Sequence, residues 1–437
     1  MAKKPATEKK KITELECILD FCANLSRKMI LSGANLERVE LAVERICHAY
    51  SLEDVSIRIL STYIGISAKD SDGYYAFRQY SIKNPGIHLE KLKKLNRLSY
   101  SVVEKKPRPE KLQYLLEEAW NVKEYPDWAI LLAQMVAMVC LCFIFGGSYR
   151  EILPVVVTTA VIHYVTLLVS KPGLDRIVSN AITMFLATIV AILFVRSGLS
   201  NNGPVIIITV SMLVIPGIPL VNAVRNLLCG NEMNGIHQLA KALIETLALG
   251  AGIYISLWIF RSQGALDSAI VDPITNPFIL IGLSFLASVG FGIVFRIPLH
   301  DLILAGIGGV ITRVALILLS YAFPDNRILY ISLAALIATL YAELLASIRK
   351  DPSTYFVYPS IVPLIPGDLF YYSLVGMYMG SREVFETNGL NCLLTLLAMS
   401  IGFVLSYVIS HYIRKAKHVR LVKKTSQAQG ESSDSHS

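Results

Sequence analysis

The chain has 437 residues, of which 54% are hydrophobic and only 17% charged, with a mean hydropathy of +0.52. That balance excludes an ordinary soluble globular protein and points to an integral membrane protein. The formal net charge of +8 does not indicate a nucleic-acid partner, because Lys and Arg crowd into the first dozen positions and into "HYIRKAKHVRLVKK" near the end; a membrane whose cytoplasmic face retains positive charge accounts for both tails.

Taken in chain order, a basic tail (1–11) carries charge but no adjoining apolar run, so it is expected to remain in the cytoplasm instead of acting as a cleaved signal. Residues 12–125 mix charge with helical periodicity. "ILDFCANLSRKMILSGANLERVELAVERICHAY" reads as two amphipathic helices, the first stopping near Ser32-Gly33 and the second starting at Asn35. "DVSIRILSTYIGISAK" and "YYAFRQYSI" alternate like a pair of strands, with "DSDG" as turn chemistry between them. Two further helices, near 88–104 and from Pro109 to about 123, complete a small cytoplasmic α+β domain. Trp120, Tyr125 and Trp128 fall around the first membrane entry, where aromatic rings favour the interface.

From Pro126 onward, apolar windows recur that are long enough to span roughly 30 Å of hydrocarbon. They are centred on 128–145, 152–170, 175–196, 204–222, 236–260, 277–295, 302–322, 328–348, 354–376 and 390–412. About ten transmembrane helices return both basic tails to the cytoplasmic side. The loops lean weakly the same way, with Lys171, Arg176, Arg225, Arg296, Arg349 and Lys350 inside against Arg150, Arg196, Arg261, Arg327 and Arg382 outside. A polar cytoplasmic tail (414–437) closes the chain.

"LVIPG" at 213–217 recurs as "PLIPG" at 363–367, the two Pro-Gly pairs lying 366 − 216 = 150 positions apart. The spacing also relates Gly230 to Gly380, Gly252 to Gly402, Ser256 to Ser406, Glu151 to Asp301, and His163 to Arg313. The membrane part therefore reads as two five-helix halves, 126–262 and 276–413. Five is odd, so the second half is expected upside down, as an inverted repeat. Secondary transporters use this architecture, with broken helices at matching positions. A packing kink is the simpler reading of either pair alone; two at matching depth favour a site.

Pro216, Gly217, Pro366 and Gly367 would shape a broken backbone whose helix ends attract a carboxylate at their N-termini and an ammonium or cation at unwound carbonyls. Asn222 and Asp368 lie just beyond, Asp368 as an ammonium or proton holder or as a helix cap. Ionisable groups inside spans are expensive, about 2.5–3.5 kcal/mol on insertion scales. That singles out His163 as a proton relay or a hydrogen-bonded neighbour, Arg313 as a counter-charge, and Glu245 and Glu343 as its partners or as groups reaching for the interface. Of the seven cysteines, the close pairs Cys17/Cys22 and Cys140/Cys142 lack metal-ligand spacing, so reduced thiols, no metal and no cofactor are expected.

"LSGANLERVE" at 31–40, "IPGIPLVNAVRNLLCG" at 215–230 and "PLIPGDLFYYSLVGMYMG" at 363–380 resemble the threonine/serine exporter family, in the form with both membrane halves on one chain. The resemblance implies export of threonine and serine across the cell membrane, driven by the proton gradient or membrane potential, and gives Gly33, Glu37, Arg38 and Glu40 a place in a family motif of the N-terminal region. These four could dock on cytoplasmic loops, or simply form a capped helix start with solvent-facing charge. The expected partners are a small amino-acid substrate, protons and the lipid bilayer; a homo-oligomer is compatible with the chain. The alternatives are a channel or carrier for another small solute, or an enzyme in the N-terminal region anchored by the spans. No GxSxG, HExxH or P-loop stands in that region.

Overall fold

A computed structural model describes residues 6–434 apart from 61, 83–85, 170–174, 261–273 and 275, so that Lys171 and Arg261, assigned to loops above, lie outside the described residues. The N-terminal segment contains α1 (Ala6–Leu31), α2 (Leu36–Ala49), β1 (Glu53–Ile59), β2 (Tyr63–Lys69), β3 (Tyr75–Ser81), α3 (Leu89–Lys105) and α4 (Pro109–Trp120). The expected strand pair is in fact three strands. The first apolar run folds back on itself around Leu60, whose N–H donates to the carbonyl of Tyr63 at 2.8 Å, giving an antiparallel sheet in the order β1-β2-β3. Alternation shows that a residue run is extended but not where it turns. Central β2 is buried and packs against α1, which contributes Leu19, Phe21, Cys22 and Leu25, all wholly buried. Such a side chain contributes about 1.5–3 kcal/mol each.

Next come α5 (Asp127–Ile144), α6 (Ile152–Val169), α7 (Arg176–Arg196), α8 (Gly203–Ser211), α9 (Gly217–Leu228) and α10 (Glu232–Ile259). They are followed by α11 (Pro277–Val294), α12 (Leu302–Ala322), α13 (Arg327–Arg349), α14 (Thr354–Ser360), α15 (Gly367–Met379) and α16 (Arg382–Asp434). The starts of α5 and α11, α6 and α12, α9 and α15, and α10 and α16 each differ by 150 positions. Positive-φ residues keep the same spacing, Gly146 with Arg296 and Gly230 with Gly380.

Among the described residues, eight helices are long and apolar enough to cross a membrane. Two of the ten expected windows are interrupted. The window 354–376 is bent by 44° between α14 and the rest of its span, and the window 204–222 is split between α8, of 9 residues, and α9, of 12. The chain is a polytopic helical membrane protein.

The N-terminal segment seats on the membrane helices by its backbone. The amides of Leu89 and Glu90, at the start of α3, donate to the carbonyls of Phe295 and Arg296, just past the end of α11, at 2.9 and 3.2 Å. Orphan donors of one helix thereby meet carbonyls that follow another. Tyr125 donates to the carbonyl of Ile297 at 2.7 Å, and the Trp120 ring lies between Lys28 and Lys91 at 5.1 and 4.6 Å. Tyr125 thus ties the segment to the membrane helices, whereas Trp120 joins α1 to α3 within the segment. Trp128 is 70% exposed.

Candidate functional site

Each Pro-Gly pair makes the same local shape. Pro216 has φ −77° and ψ 54°, and Pro366 has φ −80° and ψ 62°. The Gly217 amide donates to the Ile215 carbonyl at 2.8 Å and the Gly367 amide to the Ile365 carbonyl at 2.9 Å. Both prolines are the central residue of an inverse γ-turn, after which α9 and α15 begin. Each glycine packs against the other break, Gly217 on the second turn and Gly367 on the residue that ends α8. A Cβ on Gly217 would stand 2.9 Å from the Ile365 side chain, and one on Gly367 would stand 2.0 Å from the Met212 sulfur. Only glycine permits this approach. Two helix N-termini, each carrying about half a positive charge, thus begin where the interrupted spans meet.

Asp368 lies in the first turn of α15, half-buried, where Ile218 stands in α9. Glu245 on α10 is 4% exposed, and its Oε1 has no hydrogen-bond partner among the described residues. Gly235 meets Leu227 of α9, and Gly250 meets Leu374 of α15. Glu245 lies between these two contacts along α10.

His163 and Arg313 each bond a side chain of the neighbouring span. His163 Nδ1 is 2.8 Å from Gln134 Oε1, and Arg313 Nε donates to Ser284 Oγ at 2.8 Å. Gln134 and Ser284 are again 150 positions apart, so each pair ties the first span of its half to the second at an equivalent place. Glu343, one of the two carboxylates considered as a partner of Arg313, pairs with Arg38 in a different cluster.

That cluster joins the N-terminal segment to four membrane helices. Gly33, at φ +91°, turns the chain between α1 and α2, and its carbonyl accepts from Tyr358 at 3.2 Å. The Tyr358 hydroxyl accepts from Asn222 Nδ2 at 3.3 Å. Asn35 caps α2 by accepting from the Glu37 amide at 3.0 Å, which aims the first turn at the spans. Arg38 Nη2 donates to Glu343 Oε1 at 2.8 Å and to Ser353 Oγ at 2.6 Å. Glu37 accepts from Tyr407 at 2.5 Å, and Arg225 lies 5.9 Å from the Tyr407 ring centre. Glu40 is exposed and stays apart, its carboxyl raised above the ordinary value first by burial and then by Glu44, against Arg58. A small pocket lies here, lined by Asn222, Arg225, Glu343, Ser353, Tyr358 and Tyr407 among others.

A second junction stands beside it. Lys93 Nζ is 2.6 Å from Asp301 and 3.1 Å from Asp351, both carboxylates fully buried. Arg97 reaches Asp351 at 3.0 Å, Arg349 reaches Asp301 at 3.3 Å, and Tyr355 donates to Asp301 at 2.8 Å. Sequence reasoning missed Lys93, Asp351, Ser353 and Tyr407, and counted Arg225 only as a loop charge. Asp301 did carry a signal, through its repeat match to Glu151. No group of three or more metal-ligating side chains gathers among the described residues.

A family profile described as "Putative threonine/serine exporter" matches residues 20–260, and another described as "Threonine/Serine exporter, ThrE" matches residues 280–409. The chain belongs to the threonine/serine exporter family. Among curated relatives, the "Probable threonine/serine exporter" of Mycobacterium tuberculosis is 23% identical over 413 residues, 91% of this chain and 77% of its own. The "Threonine/serine exporter" of Corynebacterium glutamicum is 21% identical over 417 residues, 91% of this chain and 83% of that one. The "Probable succinate transporter subunit YjjP" of Escherichia coli K12 is 24% identical over 253 residues, 56% of this chain and 95% of its own. No solved structure matches the chain. Membership of the threonine/serine exporter family, with eight apolar helices among the described residues, makes this a multi-pass membrane exporter, and the family names are those of transporters, not enzymes.

Proposed function

We propose that the protein exports small hydroxyl amino acids, threonine and serine, from the cytoplasm, coupled to the proton-motive force, by alternating access around the two seated breaks. The observation that carries this reading is the reciprocal contact of Gly217 with Ile365 and of Gly367 with Met212, which brings two matched helix N-termini to one place in a chain of this family. An N-terminal end favours the substrate carboxylate, and Asp368 and Glu245 offer carboxylates for its ammonium group or for the coupling proton.

An inverted repeat fits the contacts of the N-terminal segment, which touches Asn234 after α9, Phe295 after α11 and Ser353 after α13. Those positions belong to one face if the second half runs opposite to the first. Both termini then lie in the cytoplasm, with residues 12–125 as a cytoplasmic domain. His163 and Arg313, each bonded to a neighbouring span, position helices in this reading.

A second reading, a carrier for a small dicarboxylate, draws on the likeness to a protein named a succinate transporter subunit and on the paired N-termini, which suit two carboxylates. Subunit in that name also fits an assembly of more than one chain. Efflux of preloaded radiolabelled threonine, serine, other amino acids and succinate, from cells with and without the protein and with and without an uncoupler, separates the readings. Protein-dependent threonine or serine efflux that falls on uncoupling is expected. Succinate efflux alone would move the assignment to the second reading.

A further inference from the structure

We infer that the pocket at the junction of α2 with α9, α13, α14 and α16 is an entry site for a free zwitterionic α-amino acid, and that Arg38 and Glu37 are tethered occupants competing with it. This deepens the export reading above and rests on it.

The membrane helices present one cation, Arg225, and one anion, Glu343, beside the neutral donors and acceptors Asn222, Ser353, Tyr358 and Tyr407. One positive and one negative group with hydroxyls between them is the complement of a hydroxyl amino acid, whose ammonium seeks a carboxylate and whose carboxylate seeks a guanidinium. In the structure α2 supplies such a charge pair itself, from adjacent residues. The Arg38 guanidinium takes Glu343 and Ser353 at 2.8 and 2.6 Å, as an ammonium group would. Glu37 lies on Tyr407, the ring next to Arg225, as a substrate carboxylate would.

Glu343 has a side chain only 9% exposed, and leaving it without a cation would be costly. The pocket is therefore stable with either cation, Arg38 or substrate, and the two exclude each other. Asn222 connects this exchange to the break: it stands in α9, between Pro216 and Arg225, and bonds Tyr358, which also holds the Gly33 carbonyl. Substrate that displaces Arg38 would free Gly33 and Tyr358 together, opening the route toward the seated γ-turns. An occupant that fills its own site most of the time lowers apparent affinity by the fraction of time the site is free.

The test uses full-length protein in detergent or liposomes with efflux measured on the same preparation. In wild-type protein, saturating threonine or serine should raise amide hydrogen exchange at 33–40 at least several-fold while leaving β2 unchanged. In binding assays with radiolabelled threonine, Arg38→Ala should lower the half-saturating concentration about 5-fold or more, Arg38→Lys should resemble wild type, and Glu343→Gln should raise it at least 10-fold. Unchanged exchange at 33–40 in protein that transports threonine or serine would overturn the entry site and leave the export reading intact. Weaker binding by a folded Arg38→Ala variant would do the same, making α2 a strut. Absence of transport for every amino acid would overturn both.

Discussion

The two membrane halves share a skeleton and differ in what is hung on it. Glu151 and Asp301 open equivalent helices, yet Glu151 is answered locally, by the amide and hydroxyl of Ser148 at 2.8 and 2.6 Å and by Ser200 at 3.0 Å. Asp301 is answered by Lys93 from α3, by Arg349 and by Tyr355. Ile218 faces Asp368 across the same comparison, and Gln134 with His163 faces Ser284 with Arg313. Backbone geometry, set by Pro-Gly pairs and matched helix lengths, has stayed common to both halves. The ion pairs with the N-terminal segment fall in the second half, where Glu343, Asp301 and Asp351 meet Arg38, Lys93 and Arg97 and where α14 carries its buried tyrosines.

The largest effect should come from removing the charge that only one break possesses. Asp368→Asn is expected to abolish export with the protein still present in the membrane, whereas Ile218→Val at the matching position should leave most export; unchanged efflux from Asp368→Asn would remove that carboxylate from the site. Next in size is the contrast between the two buried carboxylates. Lys93→Met leaves Asp301 and Asp351 short of a cation and should destabilise the docked segment by about 3–5 kcal/mol. Glu151→Gln, which weakens bonds to neutral groups, should cost about 1–3 kcal/mol. Thermal unfolding in detergent checks the order, and equal losses would mean that Lys93 is not the clamp.

The smallest effect is a pH dependence of that docking. His88, the N-cap of α3, is held down to about 4, by burial first and then by Lys91 and Arg296 against the pull of Glu124. Glu124 is lowered by its hydrogen bond from Lys91. Between about 4 and its ordinary 6.5 the unfolded chain takes up a proton that folded His88 refuses, so stability falls as pH drops through that window. Glu124 contributes above its ordinary 4.5 and loses that contribution as pH falls further. Unfolding midpoints measured from pH 7 to 4 should decline, with a shallower slope in His88→Gln; an identical slope would assign the decline to other groups.

Apolar windows, Pro-Gly pairs and the 150-residue spacing were legible in the sequence because they are local properties. Helix length, Pro stereochemistry and the glycine requirement act on the chain where they stand. Gly33, Glu37 and Arg38 could be singled out through the family motif, but their partners could not. Glu343, Ser353, Tyr358 and Tyr407 lie more than 300 positions away, and nothing in a one-dimensional pattern pairs them. The same holds for Arg313, for which a carboxylate was expected by charge alone and a serine was supplied by packing. By itself the sequence determined that this is a multi-pass membrane protein whose apolar run is broken twice in one way. Only the tertiary structure decided that the breaks seat on each other, and that the ion pairs run from the N-terminal segment into the second half. Such contacts depend on where distant helices come to lie, and burial then enforces whichever charge partner is within reach.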